Sequence, residues 1–148
     1  MTSRDEVLAD GTLGGAISNE VVSLLHRYTG RGPTEARTYV HDNLIVCLLG
    51  DSMTKAEQSL ITGGHHASVL DTRSLFQRTM RADFTEAVER LSGRTVIAFM
   101  SQNYIDPNFG LEAFVLEPLE DEGLPDAPAE LSTPAASLGY ESASRSSI

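Results

Sequence analysis

The chain has 148 residues, a formal net charge of −10 and a pI of about 4.7. An acidic chain lacks the clustered Lys and Arg with which proteins hold nucleic-acid phosphates, and charge alone does not draw it to anionic lipid. We therefore expect no nucleic acid among its partners. With Cys47 as the single cysteine, no internal disulfide can form, and a cytoplasmic location is expected.

Composition divides the chain into three segments. Residues 1–12 are polar and lack a basic start followed by an apolar stretch, so we expect a flexible N-terminus and no signal peptide. Residues 13–117 carry the apolar periodicity of a folded domain. In residues 118–148, Pro, Ala, Ser, Gly and acidic residues dominate and predict a disordered acidic tail. No apolar run approaches the about 20 residues of a membrane span, so we expect no direct membrane insertion.

The first predicted helix covers residues 13–28. Its apolar residues recur at spacings of three and four, which is typical of one amphipathic face: Leu13, Ile17, Val21, Leu24, Leu25 and Tyr28. Gly30, Gly32 and Pro33 predict its end, because glycine tolerates positive φ and proline cannot extend a helix. If Gly32 adopts positive φ at this corner, Gly32→Ala should disrupt the corner at a cost of about 1 kcal/mol.

A β-hairpin is predicted next. Residues 35–41 alternate between two faces, whereas residues 44–49 form a continuous apolar run, which is typical of a strand covered on both faces. Asp42 and Asn43 predict a tight turn between them, because both tolerate left-handed geometry. We interpret Cys47, which lies in the apolar run, as a packing residue.

Two helices follow. Thr54-Lys55-Ala56-Glu57 matches a capping box and predicts a helix start, and Thr62-Gly63-Gly64 interrupts this helix. A longer helix is predicted over residues 67–91 and ends at Gly93. Its apolar face also carries Arg73, and the residues predicted to pack there are Leu70, Phe76, Met80, Phe84, Val88 and Leu91.

Residues 95–100 and 111–116 predict two more strands, separated by an elongated loop. The element order is α-β-β-α-α-β-β. Two hairpins separated by helices predict a two-layer α+β fold, in which a four-stranded, largely antiparallel sheet carries the helices on one face. The sheet edges and the Phe/Met stripe of the long helix favour a homodimer.

Three arginines are the candidate residues for binding an anion or a partner. Arg31 lies between Gly30 and Gly32, Arg37 lies on the first strand, and Arg73 must meet a carboxylate, a carbonyl or a ligand on its apolar face. If the three converge, they form a positive site inside an acidic protein. If they diverge, each is a local structural pair. The Gly-Arg-Gly turn follows a helix C-terminus, which favours a structural corner over a phosphate cradle.

The sequence carries no recognisable catalytic pattern. It lacks a Ser/His/Asp or Cys/His nucleophile signature, and we assign no catalytic residue and no cofactor. The adjacent His65 and His66 have no Cys or carboxylate at zinc spacing, so we assign no metal site.

Taken together, five segments resemble the bacterial MpsC or YbcI-like family: GRGPTEARTYVHDNLIVCLLG, MTKAEQSLITGG, LDTRSLFQRTM, FTEAVERLSGRTV and FVLEP. The resemblance covers about residues 17–118. It rests on the Gly30–Pro33 motif, the helix start from Met53 to Glu57, Arg73 and Ser92-Gly93. The chain departs from the family pattern at Met53, where the family has Leu, at the two histidines and in the acidic tail.

The resemblance implies an association with membrane systems of Na+-linked membrane-potential generation and inorganic-carbon uptake. The leading hypothesis is a soluble, non-enzymatic accessory or regulatory domain that contacts a membrane transport protein. The alternatives are a small-anion or nucleotide sensor built on Arg31, Arg37 and Arg73, and a hydrolytic enzyme. A concave pocket joining these arginines would favour the sensor, whereas a flat apolar patch would favour the contact domain.

Overall fold

The computed structural model describes residues 10–119, which form three helices and four strands in the predicted order. The elements are α1 (Asp10–Thr29), β1 (Glu35–His41), β2 (Leu44–Gly50), α2 (Lys55–Thr62), α3 (His66–Ser92), β3 (Val96–Tyr104) and β4 (Phe109–Leu116). The predicted α+β class is confirmed. Residues 1–9, predicted to be flexible, and nearly all of the predicted tail, residues 120–148, lie outside the described residues.

The sheet is antiparallel throughout and has the strand order β1-β2-β4-β3. The two predicted hairpins therefore lie side by side, with β2 and β4 paired at the centre. On one face of this sheet α1 packs over β1 and α3 packs over β3, and the two helices also contact each other. This arrangement is the predicted two-layer fold.

The core lies between the helices and this face of the sheet. Its buried side chains come from the predicted apolar faces: Ile17, Val21 and Leu24 of α1, Ile45, Cys47 and Leu49 of β2, Met80, Phe84 and Val88 of α3, and Phe114 and Leu116 of β4. Cys47 is fully buried, which confirms its packing role. Leu70 and Phe76, predicted to pack in the core, are 37% and 38% exposed.

The helix ends follow the predicted signals with one shift. The Thr54 hydroxyl accepts a hydrogen bond from the Glu57 N–H at 3.1 Å, and the Glu57 carboxylate accepts one from the Thr54 N–H at 2.9 Å. This pair is the predicted capping box. Helix α3 ends at Gly93, which adopts a left-handed φ of 68°. Helix α1 begins three residues before its predicted start, because its first turn lacks the apolar spacing that would mark it.

Gly32 does not adopt the positive φ on which the predicted effect of Gly32→Ala depended. The left-handed residue is Gly30, with φ 82°, whose N–H donates to the His26 carbonyl at 2.8 Å and so closes the last turn of α1. Gly32 is needed for a different reason. A Cβ atom at this position would lie 3.0 Å from the carbonyl oxygen of Val22, so the chain after the helix runs too close to α1 for a side chain.

The prediction of an elongated loop between the last two strands is incorrect. Strand β3 continues to Tyr104 and β4 begins at Phe109, so the connection has only the residues between them. Polar residues such as Gln102 extend an edge strand without difficulty, because the backbone supplies the pairing and the side chain faces outward. The longer strands enlarge the face of the sheet that lies opposite the helices.

Candidate functional site

Arg31 stabilises the corner between α1 and β1. Its Nη1 donates to the carbonyl oxygens of Asp51 at 2.7 Å and Met53 at 2.9 Å, and its Nη2 lies 3.1 Å from the Asp51 carboxylate. Hydrogen bonds from Thr34 and Arg31 lower the pKa of this carboxyl below its usual value. The guanidinium charge is thus already compensated within the chain.

Arg73 lies on the apolar side of α3, and its side chain is 14% exposed. Its Nε and Nη2 bind the two carboxylate oxygens of Glu57 at 2.5 Å and 2.9 Å. Further donors reach the Ser52 hydroxyl at 3.1 Å, the Asn103 side-chain oxygen at 3.2 Å and the Ser52 carbonyl at 3.1 Å. One guanidinium therefore joins α2, α3, β3 and the segment after β2.

Glu57 remains ionised at neutral pH despite its location. Burial raises its pKa, but hydrogen bonds from Arg73 and from the Thr54 backbone outweigh this and hold the pKa below its ordinary value. The pair is consequently an ion pair and not a neutral hydrogen bond.

Arg37 does not join the other two arginines. Strand β1 alternates, with Ala36 and Val40 packed against the core and Arg37 exposed on the opposite face of the sheet. Arg31 and Arg73 both bind the segment that follows β2, but each does so with a carboxylate of its own. The described residues therefore do not form one concave pocket from the three arginines, and their role in binding remains a prediction.

A cavity of about 280 Å³ lies between the three helices and the sheet. Most of its lining is apolar: Leu25, Leu49, Leu60, Val69, Phe76 and Met80, with Tyr28 beside them. The charged lining residues are Arg31, Glu57, Arg73 and Glu112. A mostly apolar lining with a few polar groups is typical of a small-molecule site, and the volume is close to the lower limit for such sites, about 300 Å³.

Glu112 lies on the sheet side of this cavity and is 2% exposed. Its Oε2 is buried and, like the Ser101 hydroxyl on the neighbouring strand, makes no hydrogen bond of good geometry among residues 10–119. Burial raises the pKa of Glu112 to about 7, and the neighbouring Ser101 hydroxyl offsets this only in part. Near neutral pH, this carboxyl therefore exists in both its protonated and its ionised form.

Glu112 belongs to a polar row that crosses the sheet beneath the helices. Thr38, Cys47, Glu112 and Ser101 are successive partners across β1, β2, β4 and β3. The Thr38 hydroxyl also shares a hydrogen bond of 2.7 Å with the Ser18 hydroxyl of α1. Glu112 was not among the predicted site residues because it lies inside an apolar run. The available signal was its position two residues before Phe114, which places a carboxyl on the inward face of a strand.

The opposite face of the sheet is apolar and exposed, and we call it the open face. Its large exposed side chains are Tyr39, Leu44, Leu48, Met100, Tyr104, Phe109 and Leu111. The predicted coverage of β2 on both faces is therefore wrong within the described part of the chain, since the helices there lie on one face only. The charged residues Glu35 and Arg37 lie on the edge strand β1, whereas β2 and β4 present apolar side chains.

A family model described as "Na+-translocating membrane potential-generating system (MpsC)" matches residues 9–118. No curated protein and no solved structure matches the chain. No helix between residues 10 and 119 has the length and apolar character needed to cross a bilayer. The same residues contain no group of three or more His, Cys, Asp or Glu side chains that could hold a metal ion.

Proposed function

The chain belongs to the MpsC family, and on this premise we propose that it is a non-enzymatic accessory protein of a membrane-potential-generating system that acts through protein contact. The observation that carries the proposal is the open face. A flat apolar patch, and not a concave cluster of the three arginines, is the feature that favours a contact domain over an anion sensor.

The exposed apolar area of the open face is larger than a few isolated hydrophobic side chains would give. Tyr39, Tyr104 and Phe109 are 53%, 61% and 40% exposed. Because an aromatic side chain offers about 150–250 Å², these three alone present about 300 Å². The exposed leucines and Met100 enlarge the same surface. The largest apolar patch of a typical monomer is about 300–600 Å², and patches of this size mark interaction sites.

A second copy of the chain is the occupant that the open face fits best. Homodimer interfaces are more apolar than those of transient partners, and they place charged residues at the rim. The open face has this pattern, with apolar central strands and Arg37 beside Glu35 on the edge strand. A chain of net charge −10 repels its own copy elsewhere, but one acidic and one basic residue leave this face nearly neutral.

In the proposed dimer the open face joins the two copies, and the dimer as a whole contacts the membrane partner. Arg37 then lies at the rim of the contact surface, where it can form an ion pair with a carboxylate of a partner. Arg31 and Arg73 have structural roles in holding the segment after β2.

The experiment uses cells from which the gene has been deleted, in which the membrane potential is measured with a potential-sensitive dye. We expect the deletion to lower the potential and the wild-type protein to restore it. Met100→Asp, which places a charge on the open face, should fail to restore it. Leu75→Asp is the matched control, because Leu75 on α3 is 57% exposed and Met100 is 55% exposed. An unchanged potential in the deletion strain, or full rescue by Met100→Asp, would contradict the proposal.

A further inference from the structure

The cavity beneath the helices contains one carboxyl whose charge no neighbour compensates. Arg31 is paired with Asp51, and Arg73 is paired with Glu57. Glu112 remains, with a buried and unpartnered Oε2. A buried polar atom without a partner destabilises the fold, so a ligand that supplies a donor recovers this cost.

The surroundings of Glu112 indicate which donor fits. The other titratable and charged groups lining the cavity are Tyr28 on α1, Glu57 on α2, Arg73 on α3 and Arg31 at the corner, and Cys47 on β2 is the cross-strand neighbour of Glu112. With the two ion pairs formed, their net contribution at neutral pH is zero. An ionised Glu112 therefore requires one positive charge, and a cationic ligand supplies both that charge and the missing donor.

The rest of the cavity fits an apolar body. Leu49 of β2 and Val69 and Met80 of α3 contribute aliphatic side chains to the lining, and Phe76 of α3 contributes an aromatic ring. A cavity of about 150 Å³ holds benzene, so a volume of about 280 Å³ accepts an unbranched chain of roughly six to eight carbons.

We propose that the cavity binds a small organic ammonium ion, with the ammonium group at Glu112 and a short apolar chain among the aliphatic and aromatic lining residues. The acidic net charge of the protein favours the approach of a cation over that of an anion. This site lies on the helix side of the sheet and does not depend on the open face or on the proposed contact function.

The test uses three probes that share a six-carbon chain and differ in their head group: hexylamine, hexanol and hexanoate. Binding to the full chain is measured by calorimetry at pH 8, where the amine is protonated and Glu112 is ionised. We expect hexylamine to bind at least about tenfold more tightly than hexanol, with no binding of hexanoate. Lowering the pH to 5.5 protonates Glu112 and should weaken the binding of hexylamine by about thirtyfold.

Glu112→Gln retains the shape of the side chain and removes its charge. In this variant hexylamine should lose its advantage over hexanol, whereas Glu86→Gln, which removes an exposed carboxylate on α3, should bind like wild type. Equal binding of hexylamine and hexanol by the wild-type protein would overturn the proposal, because the cavity would then take any apolar chain. Absence of binding by all three probes, or a pH-independent affinity for hexylamine, would overturn it as well.

Discussion

Arg73 binds both carboxylate oxygens of Glu57, with its Nε 2.5 Å from Oε2 and its Nη2 2.9 Å from Oε1. The same Glu57 side chain closes the capping box at the start of α2. One carboxylate thereby fixes the start of a short helix and its position against α3. Since α2 has no buried residues, this polar contact is a main link between α2 and the rest of the fold.

The first prediction concerns this ion pair. Arg73→Met should lower the free energy of unfolding by about 3 kcal/mol, because it leaves the mostly buried Glu57 carboxylate without its counter-charge. Urea denaturation at pH 7 measures the change. Arg90→Met is the control: its guanidinium is 50% exposed and pairs with Glu20 and Glu86 at the surface, so the loss should stay within about 0.5 kcal/mol. Equal losses for the two variants would refute the structural role of Arg73.

The second prediction concerns pH. The pKa of Glu112 rises from 4.5 to about 7 in the folded chain, so the native state binds this proton more tightly than the unfolded state does. The resulting stabilisation is complete below about pH 4.5 and is lost as the pH rises through 7, with a total of about 3 kcal/mol. Glu112→Gln should remove this dependence of stability on pH.

The matched measurement is urea denaturation of both proteins at pH 5 and pH 8. Glu112→Gln should match wild type at pH 5 and exceed its stability at pH 8, because glutamine has no charge to desolvate. A wild-type stability that does not change between pH 5 and pH 8 would show that Glu112 is not buried in this way.

The third prediction separates two adjacent glycines of α1. A Cβ atom at Gly14 would lie 2.9 Å from the Thr38 carbonyl oxygen, whereas one at Gly15 meets nothing within 4 Å. Gly14→Ala should therefore force α1 away from β1 and destabilise the fold by about 1–3 kcal/mol. Gly15→Ala should stabilise it by about 0.5–1 kcal/mol, because alanine is the better helix former. Thermal denaturation of the pair checks the sign, and a change of the same sign in both would contradict the close packing.

The sequence predicted the features that depend on local chemistry. The spacing of Ile17 and Val21 marked the buried face of α1, and Thr54 with Glu57 marked the start of α2. Gly93 stopped α3 as expected, since its left-handed conformation is favourable for glycine. Each of these signals acts within one or two turns of helix and does not require knowledge of distant contacts.

The features that were not predicted depend on contacts between residues that are distant in the sequence. Position 32 requires glycine because the chain passes close to Val22, and not because of its φ. The charge state of Glu112 depends on its burial beneath the helices. This burial arises from contacts between residues that are distant in the sequence, so a local sequence pattern does not predict it. Arg37 was grouped with Arg31 and Arg73, but the alternation of β1 places it on the other face of the sheet. The apolar run of β2 predicted a strand covered on both faces, but the run alone does not specify what would cover the face opposite the helices.

The mass of the protein in solution shows whether the open face joins two chains. Sedimentation equilibrium of the wild-type chain should give twice the chain mass of 16.0 kDa at tens of micromolar, and Leu48→Asp, which places a charge at the centre of the open face, should give a single chain mass with unchanged circular dichroism. Leu75→Asp should remain dimeric. A wild-type protein that sediments as a 16.0 kDa monomer across this range, or a Leu48→Asp variant that stays a dimer, would contradict the account.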